Sequence, residues 1–346
     1  MAFSVVGGGQ SAYIPSTNDL ATGALQVEFT RSVNQFALTR YAQLVPTSKM
    51  SGYYLRHDVA DNMRIVNDKE FLWNLGTDRP TGKQNAFDFV AYNTQRYAFP
   101  FYIPQETAAQ AAWDTVAQHA RSKAQLAMTR RTLGAATVLS TAGSWGTNYS
   151  TNVTAAQNGF AIAGAWSGAT VANAWIQKSI QQVMQLVGFS SGGAVNPSQL
   201  IMVISPKVAV AIAQSAEVKD YVKANPQSPN FLMGNDIYSR WGIPSTLFGL
   251  GEVVVDDTVI RTSRKGATDA TSYILGDGAY FVSRPNGLVG VEGANSFATV
   301  QIFAYEDMTV EQFNDPLNRR VEGRVIDNSI TAVVAPVSGY ALLAVT

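Results

Sequence analysis

The sequence predicts an α+β fold with long extended excursions. Two observations carry this. One is a run of Ala-rich helical spacing over residues 105–139. The other is a set of β-rich segments on either side of it, two of which read as long hairpins, near 44–90 and 298–327. At 346 residues the chain is long enough for about two domains. Hydrophobic residues make up 46% of it, enough for a sizeable core.

Residues 1–43 read as an extended arm. Gly7, Gly8, Gly9 and Pro15 punctuate it, its first charge is Asp19, and helical spacing is confined to the stretch from Ala24 to Leu44. Such a segment cannot bury itself and is expected to dock on something else. Residues 44–90 read as a hairpin flap. LVPTSKMSGYYLRHD is β-rich, NMRIVND resembles a short strand, and the chain turns at Arg79-Pro80-Thr81-Gly82 before a return strand. Charges gather in this flap, among them Arg56, Lys69, Arg79 and Lys83. A two-stranded flap is marginal in isolation and needs a partner surface.

A long helix follows, with Pro104 in its first turn and Glu106 favouring the positive end of the dipole. Ala109, Trp113, Val116, Ala120, Ala124 and Ala127 recur at helical spacing, and a helix of about 30 residues would be ~45 Å long. Residues 140–170 carry no charge and read as loops with short strands. TVANAWIQKSIQQVMQLVG is the next helix, with Val171, Trp175, Ile180, Val183, Met184 and Val187 as its apolar stripe and Gly188 as its C-cap. QLIMVIS is a buried strand, and Ser205-Pro206 starts another helix that EVKDYVKAN continues. STLFGL, EVVVDD, SYILGD and AYFVSR read as strands. ATVQIFAYED and NRRVEGRVID form the late hairpin, and the charge-free tail SITAVVAPVSGYALLAVT is expected to be buried. No repeat of solenoid or propeller period occurs.

Composition excludes several function classes. Charged residues make up 14% of the chain, against about 25% in a typical soluble domain, and 25 basic residues balance 25 acidic ones. Strong polyanion binding by the whole surface normally needs a basic excess. Few charges and no net charge lower the cost of burying large surfaces, so composition leaves open both a well-packed monomer and an obligate assembly subunit. The chain has no cysteine, which removes disulfides, thiolate metal sites and thiol nucleophiles. With only His57 and His119, a zinc site would need mostly carboxylates. The N-terminal residues lack the basic and apolar regions of a secretory signal, and no stretch has the apolar length of a membrane span.

Local motifs that suggest chemistry have simpler readings. GFSSG at Gly188–Gly192 matches G-x-S-x-G, but a helix precedes it and a strand follows, the reverse of a nucleophile elbow. It reads as a helix-ending turn. His57-Asp58 lies in the charged flap and reads as a solvated pair, and His119 as a solvated or interfacial imidazole. Asp256 and Asp257 could serve acid–base chemistry or a hard cation, but neighbours on a strand point to opposite faces, so a turn is the better reading. VVGGGQ and GLG are loop glycines, and no phosphate-binding P-loop motif occurs. Between Asp114 and Glu217 there is no acidic residue, whereas Arg121, Lys123, Arg130, Arg131, Lys178 and Lys207 are basic. The long helix therefore has a positive face, which serves solubility or faces a polyanion or an acidic partner.

The order of these parts resembles the major capsid protein of tailed double-stranded DNA bacteriophages, the family with the HK97-type fold. The residues that carry the resemblance run through nearly the whole chain. LVPTSKMSGYY leads to RPTG and a return strand ending in YIPQE. The Ala-rich helix of 105–139 follows, then NPSQLIMVISPKVAVAIAQSAEVKDYVK, then IPSTLFGLGEVVVDD and SYILGDGAYFV. The late hairpin and an apolar C-terminal strand complete the order.

The resemblance implies an N-terminal arm (1–43), an E-loop (44–90), a P-domain (91–140 and 296–328) with a spine helix and β-sheet, and an α/β A-domain (141–295 and 329–346). It implies a non-enzymatic subunit, without cofactor or metal, that assembles through pentamers and hexamers into an icosahedral shell around double-stranded DNA. Assembly would take place in the host cytoplasm, with a scaffolding protein, a portal and a decoration protein as partners and no membrane. No helical, charged scaffolding segment precedes the arm here, so the expectation is that one was removed or that the scaffold is separate. Arg56, Lys69, Arg79 and Lys83 are then expected to contact a neighbouring subunit. Arg121, Lys123, Arg130 and Arg131 are expected to form an interior basic face near DNA. Some relatives crosslink an E-loop Lys to an Asn on a neighbour, but nothing in this sequence marks Lys69 or Lys83 as reactive. An encapsulin-like compartment shares the implied fold, and a carboxylate-dependent hydrolase built on Asp256 is the alternative of another class.

Overall fold

The structure, a computed structural model, describes residues 3–7, 10–14, 31–57, 87–111, 114–153, 160, 164–224, 241–243, 246–264, 266–284 and 298–346. In chain order, a hairpin of β1 (Phe3–Gly7) and β2 (Gln10–Ile14) is followed by the short helix α1 (Leu38–Tyr41) and strand β3 (Gln43–Pro46). The flap strands β4 (Ser51–His57) and β5 (Phe87–Asn93) form a two-stranded antiparallel sheet of their own. NMRIVND, the Arg79–Gly82 turn, Lys69 and Lys83 lie outside the described residues.

Strand β6 (Gln95–Pro104) leads into a helical region that is not one continuous helix. It divides into α2 (Gln105–Gln110) and α3 (Thr115–Ser140). Ala111 turns extended at φ −67°, ψ 136°, and Pro104 stands at the N-cap of α2 rather than within its first turn. Asp114 then caps α3, its Oδ1 accepting from the Ala117 N–H at 2.9 Å. At 26 residues, α3 is ~39 Å long. Of the expected stripe only Ala127 is fully buried. Trp113 lies outside the described residues, and the buried face shifts to Ala127, Met128, Arg131, Thr132, Ala135, Ala136 and Leu139. These residues recur at three- and four-residue spacing on the face of α3 that packs on β6 and on the late hairpin, and the small alanines permit the close approach.

Beyond α4 (Ala142–Trp145) and β7 (Ser150–Thr151) comes α5 (Trp175–Ser190). It begins later and ends later than its sequence indicates. Val171 is exposed outside it, and Gly188 stays helical, while Gly192 and Gly193 take the left-handed conformation just past the end. Buried Ile176 joins the stripe that Ile180, Val183 and Val187 form. Strand β8 (Leu200–Ile204) precedes α6 (Pro206–Gln214), whose start is capped by Ser205, and α7 (Ala216–Ala224). STLFGL is not a strand: Leu247 and Leu250 are buried within a turn, with Phe248 and Gly249 at positive φ. Strand β9 (Glu252–Val255) follows, then a small hairpin of β10 (Val259–Arg261) and β11 (Thr271–Tyr273), which uses only the start of SYILGD. Strand β12 (Ala279–Ser283), the hairpin of β13 (Val300–Asp315) and β14 (Arg320–Val333), and β15 (Tyr340–Leu342) complete the chain.

The strands form two larger sheets. One has five strands in the order β7-β15-β12-β8-β9, and the other four, β3-β13-β14-β6. The five-stranded sheet is buried on both faces, which explains why β8 and β12 read as unbroken apolar runs rather than alternating ones. Leu200, Met202, Ile204 and Phe281 pack with α5 and α6 in one core. Ile201, Val203, Tyr280 and Val282 pack in a second core with Met128, Ala135 and Leu139 of α3, Val300, Ile302 and Val333 of the late hairpin, and Phe36, Leu38 and Tyr41. The second core therefore crosses the boundary expected at residues 140–141. It also absorbs residues 36–42, which the sequence reading placed in the arm.

Candidate assembly surface

The flap stands on the outer face of the four-stranded sheet. Register pairs Tyr54 with Val90 and Gly52 with Tyr92, which puts Tyr54 and Tyr92 on one face of the flap. Both rings stack on Phe303 of β13, at centroid distances of 5.5 Å and 4.7 Å. Arg56 shares that inward face, opposite Asp88, and its Nε–H donates to the Val334 carbonyl at 3.2 Å. The other face carries Tyr53, Leu55, Phe89 and Ala91, with no charged residue among its described side chains. Tyr53 is 72% exposed, Phe89 68% and Leu55 44%. Among its described side chains the hairpin turns Tyr54, Tyr92 and Arg56 toward its own chain and Tyr53, Leu55 and Phe89 toward solvent, while Asp88 stays exposed. Sequence reading missed this face, although the alternation in SGYYLRH signals it, because charge content was read without assigning faces. Lys69, Arg79 and Lys83 lie outside the described residues, so Arg56 is the one expected flap contact with a described place.

The basic face of α3 is smaller than expected. Arg131 is not part of it. Its side chain turns inward, 4% exposed, onto Asp327 of β14, which is 2% exposed, and onto Asp307 at 2.8 Å. Burial alone would lower the guanidinium pKa, but the hydrogen bond and charge of Asp327, with Asp307 behind them, outweigh it and raise it. The reason Arg131 departs is its register on α3, between Met128 and Ala135 on the packed face. Arg130, half-buried, lies 4.2 Å over the Tyr97 ring and donates to its hydroxyl. Arg121 is exposed and Lys123 half-buried on the remaining turns.

The arm's root is fixed to its own subunit. Arg31 pairs with Asp257 at 2.8 Å, and its backbone N–H donates to Gln125 of α3. Arg40 pairs with Glu252, and Arg284 donates to the Thr39 carbonyl at 2.6 Å. Tyr41 Oη donates to Asp256 Oδ2 at 3.2 Å, and Thr258 donates to Asp256 Oδ1 from both its hydroxyl and its N–H. Burial raises the Asp256 carboxyl above its ordinary range, the Thr258 and Tyr41 hydrogen bonds opposing it, and burial also raises the Tyr41 phenol. Asp256 and Asp257 thus face different partners and anchor the residues before β3. They do not form an acid pair.

The other motifs are structural as placed. Ser190 Oγ donates to the Val337 carbonyl at 2.6 Å at the end of α5. His119 Nδ1 lies 2.8 Å from the Thr115 carbonyl, one turn back on α3. The His57 side chain and Asp58 lie outside what the structure describes. Glu217, in the first turn of α7, accepts from the N–H groups of Ile176 and Gln177 at 3.0 and 2.8 Å and so caps α5, which has no side-chain cap of its own. A groove of about 490 Å³ runs between α3 and β14, lined by Tyr97, Arg130, Gly134, Asp327 and Thr331. Among the described residues, no group of three His, Asp or Glu side chains could hold a metal, and no helix is long and apolar enough to cross a membrane.

No protein-family model matches the sequence, and no curated protein matches it. Solved structures do match. A phage-related protein from Bordetella bronchiseptica RB50 superposes with a TM-score of 0.63 at 14% identity, over 94% of this chain and 95% of that one. The capsid of the cyanophage P-SCSP1u gives 0.54 at 12% identity, over 92% and 89%. The mature capsid of bacteriophage PhiM1 gives 0.52 at 10% identity, over 88% and 85%. The flap hairpin, the α3 helix on a long hairpin and the five-stranded central sheet are, together, the α+β architecture of the HK97-type capsid fold.

Proposed function

We propose that this chain is a structural shell subunit, the major capsid protein of a tailed bacteriophage, that assembles with copies of itself and has no catalytic role. The observation that carries the reading is the exposed apolar face of the flap, Tyr53, Leu55 and Phe89. A two-stranded sheet that turns an uncharged, aromatic face to water is poorly stable alone and gains by covering that face. The low charge content suits burial of large surfaces between copies, and the fold likeness to phage capsids points the same way. Pentamers and hexamers closing into an icosahedral head around double-stranded DNA, within the host cytoplasm, follow from this reading. A scaffolding protein, a portal and a decoration protein complete its set of partners.

Arg121 and Lys123, with Arg130 beside them, would give a modest, sequence-independent contact to packaged DNA, weakened by salt. The domain division into arm, E-loop, P-domain and A-domain is part of the proposal, with the arm ending near residue 30 instead of 43. The test is negative-stain electron microscopy of the purified protein, alone and with a scaffold partner. Closed shells, or pentamers and hexamers, are expected. A monodisperse monomer under both conditions would overturn the reading.

A further inference from the structure

We infer that the groove between α3 and β14 is a binding site for a small branched aliphatic carboxylate, which bridges the long helix and the late hairpin. The inference does not depend on how the subunits assemble.

The groove exists because β6 starts late. Its first residue, Gln95, pairs with Ser329, whereas β14 runs on to Val333. The end of β14 therefore has no strand on that side among the described residues, and α3 roofs the gap with Arg130, Leu133, Gly134 and Val138. The space of about 490 Å³ is of the size that holds small ligands.

Its polar lining is rich in donors. Arg131 spends Nη2 on Asp327 and Asp307, and its Nε–H is buried without an acceptor. A buried donor of this kind calls for a partner. Arg130 lies over the Tyr97 ring and has no acidic partner among the described residues, so its charge can meet an anion. Gln95 Oε1 accepts from the Tyr97 hydroxyl at 2.6 Å, which leaves the amide N–H groups of Gln95 to donate. The Val334 N–H donates to the Thr299 carbonyl, just before β13, at 2.9 Å. Backbone amides alternate in direction along a strand, so the Thr331 N–H points to the open side. The one carboxylate in the lining is already engaged: Asp327 Oδ1 accepts from Arg131 and Oδ2 from the Ser329 hydroxyl. A ligand here must bring acceptors, and two arginines against one aspartate favour a negative charge on it.

The rest of the lining selects the ligand's body. Leu133, Val138 and Ile330 are aliphatic, which suits a carboxylate with a branched tail and disfavours inorganic phosphate. Gly134 is an independent sign of a built site. Glycine weakens a helix interior, yet a Cβ at this position would stand 3.2 Å from Arg130 Nη1. The glycine keeps the guanidinium in place over the groove.

The probe is sodium isovalerate, titrated at pH 7 into the purified full-length chain and followed by saturation-transfer NMR and calorimetry. Saturable binding at one site per chain is expected, with a Kd of about 1 mM, the range open to so small a ligand. Isovaleramide lacks the charge, acetate lacks the tail and phosphate lacks any apolar part, and each should bind about tenfold or more weakly. Arg130→Gln should weaken isovalerate binding about tenfold or more. Gly134→Ala should weaken it too while raising the thermal midpoint of the unliganded chain, because alanine favours the helix. Weaker binding with a higher midpoint is not a consequence of unfolding. Absence of saturable binding by the unaltered chain would overturn the inference. So would binding that either variant leaves unchanged, or acetate, phosphate or isovaleramide binding as tightly as isovalerate.

Discussion

Replacing Arg131 by Met tests the buried lock between α3 and the late hairpin. The substitution keeps the aliphatic stem and removes the charge. Asp327, 2% exposed, is then left as a buried carboxylate whose remaining described partner is the Ser329 hydroxyl at 3.0 Å. Breaking a buried pair from one side costs about 3–5 kcal/mol. Asp307 adds little, because at 48% exposure it returns to water, and such pairs contribute less than about 1 kcal/mol. Against a total stability of about 5–15 kcal/mol, the loss is a large share. Equilibrium unfolding of the unassembled subunit in urea, followed by tryptophan fluorescence, measures it. The double variant Arg131→Met/Asp327→Leu removes both charges and should recover most of the loss, since an apolar pair of similar volume is often neutral or better. A cost below about 1 kcal/mol for Arg131→Met would refute the argument, as would a double variant no more stable than the single one. Either result would mean that water from the adjoining groove reaches Asp327.

Four further outcomes follow from the same contacts. Removing residues 1–30 should leave a folded subunit by circular dichroism, whereas removing 1–43 should unfold it, because Phe36, Leu38 and Tyr41 go with the arm and each fully buried side chain contributes about 1.5–3 kcal/mol. Glu217→Ala should cost about 1–3 kcal/mol in urea unfolding by leaving the Ile176 and Gln177 N–H groups without their acceptor, and Glu217→Gln less, since it retains one oxygen. Asp256 has a folded pKa raised by burial, so the fold favours its protonated form. That contribution is fully present below the ordinary carboxylate pKa of about 3.9 and is lost as pH rises through the raised value, and Asp256→Asn should flatten this part of a stability-versus-pH profile. Gly251→Ala would set a Cβ 2.0 Å from the Ser198 carbonyl oxygen, a backbone atom that cannot step aside, so it should yield insoluble or unfolded protein by sedimentation, with a cost above about 3 kcal/mol.

Much of the architecture was legible in the chain because it rests on local signals. Ser205-Pro206 places the start of α6 by capping chemistry. The unbroken apolar runs at Leu200–Ile204 and Ala279–Ser283 announce strands covered on both faces. The late hairpin shows itself as two β-rich segments around Asn318, although it extends to Val333. Boundaries failed where two local signals compete. The division of the expected spine helix depends on Asp114 capping a new start, and the end of α5 lies past Gly188 because the glycines four and five residues later, at 192 and 193, take the positive φ.

The candidate surfaces divide in the same way. Residue types and periodicity determined by themselves that this is an α+β chain with few charges, no thiol chemistry, a charged flap and a long Ala-rich helix. Only the tertiary structure decided which face each charge occupies. Arg130 and Arg131 are adjacent on α3, separated by about 100° of rotation, and packing sends one over Tyr97 and the other into a buried pair with Asp327. Arg56 looks like a surface charge in sequence, yet the stacking of Tyr54 and Tyr92 on Phe303 turns it inward and turns Tyr53, Leu55 and Phe89 out. Phe303 lies more than 200 positions from either tyrosine in the chain. A sequence specifies the period of its side chains, but the side that faces water is settled by what packs against the other.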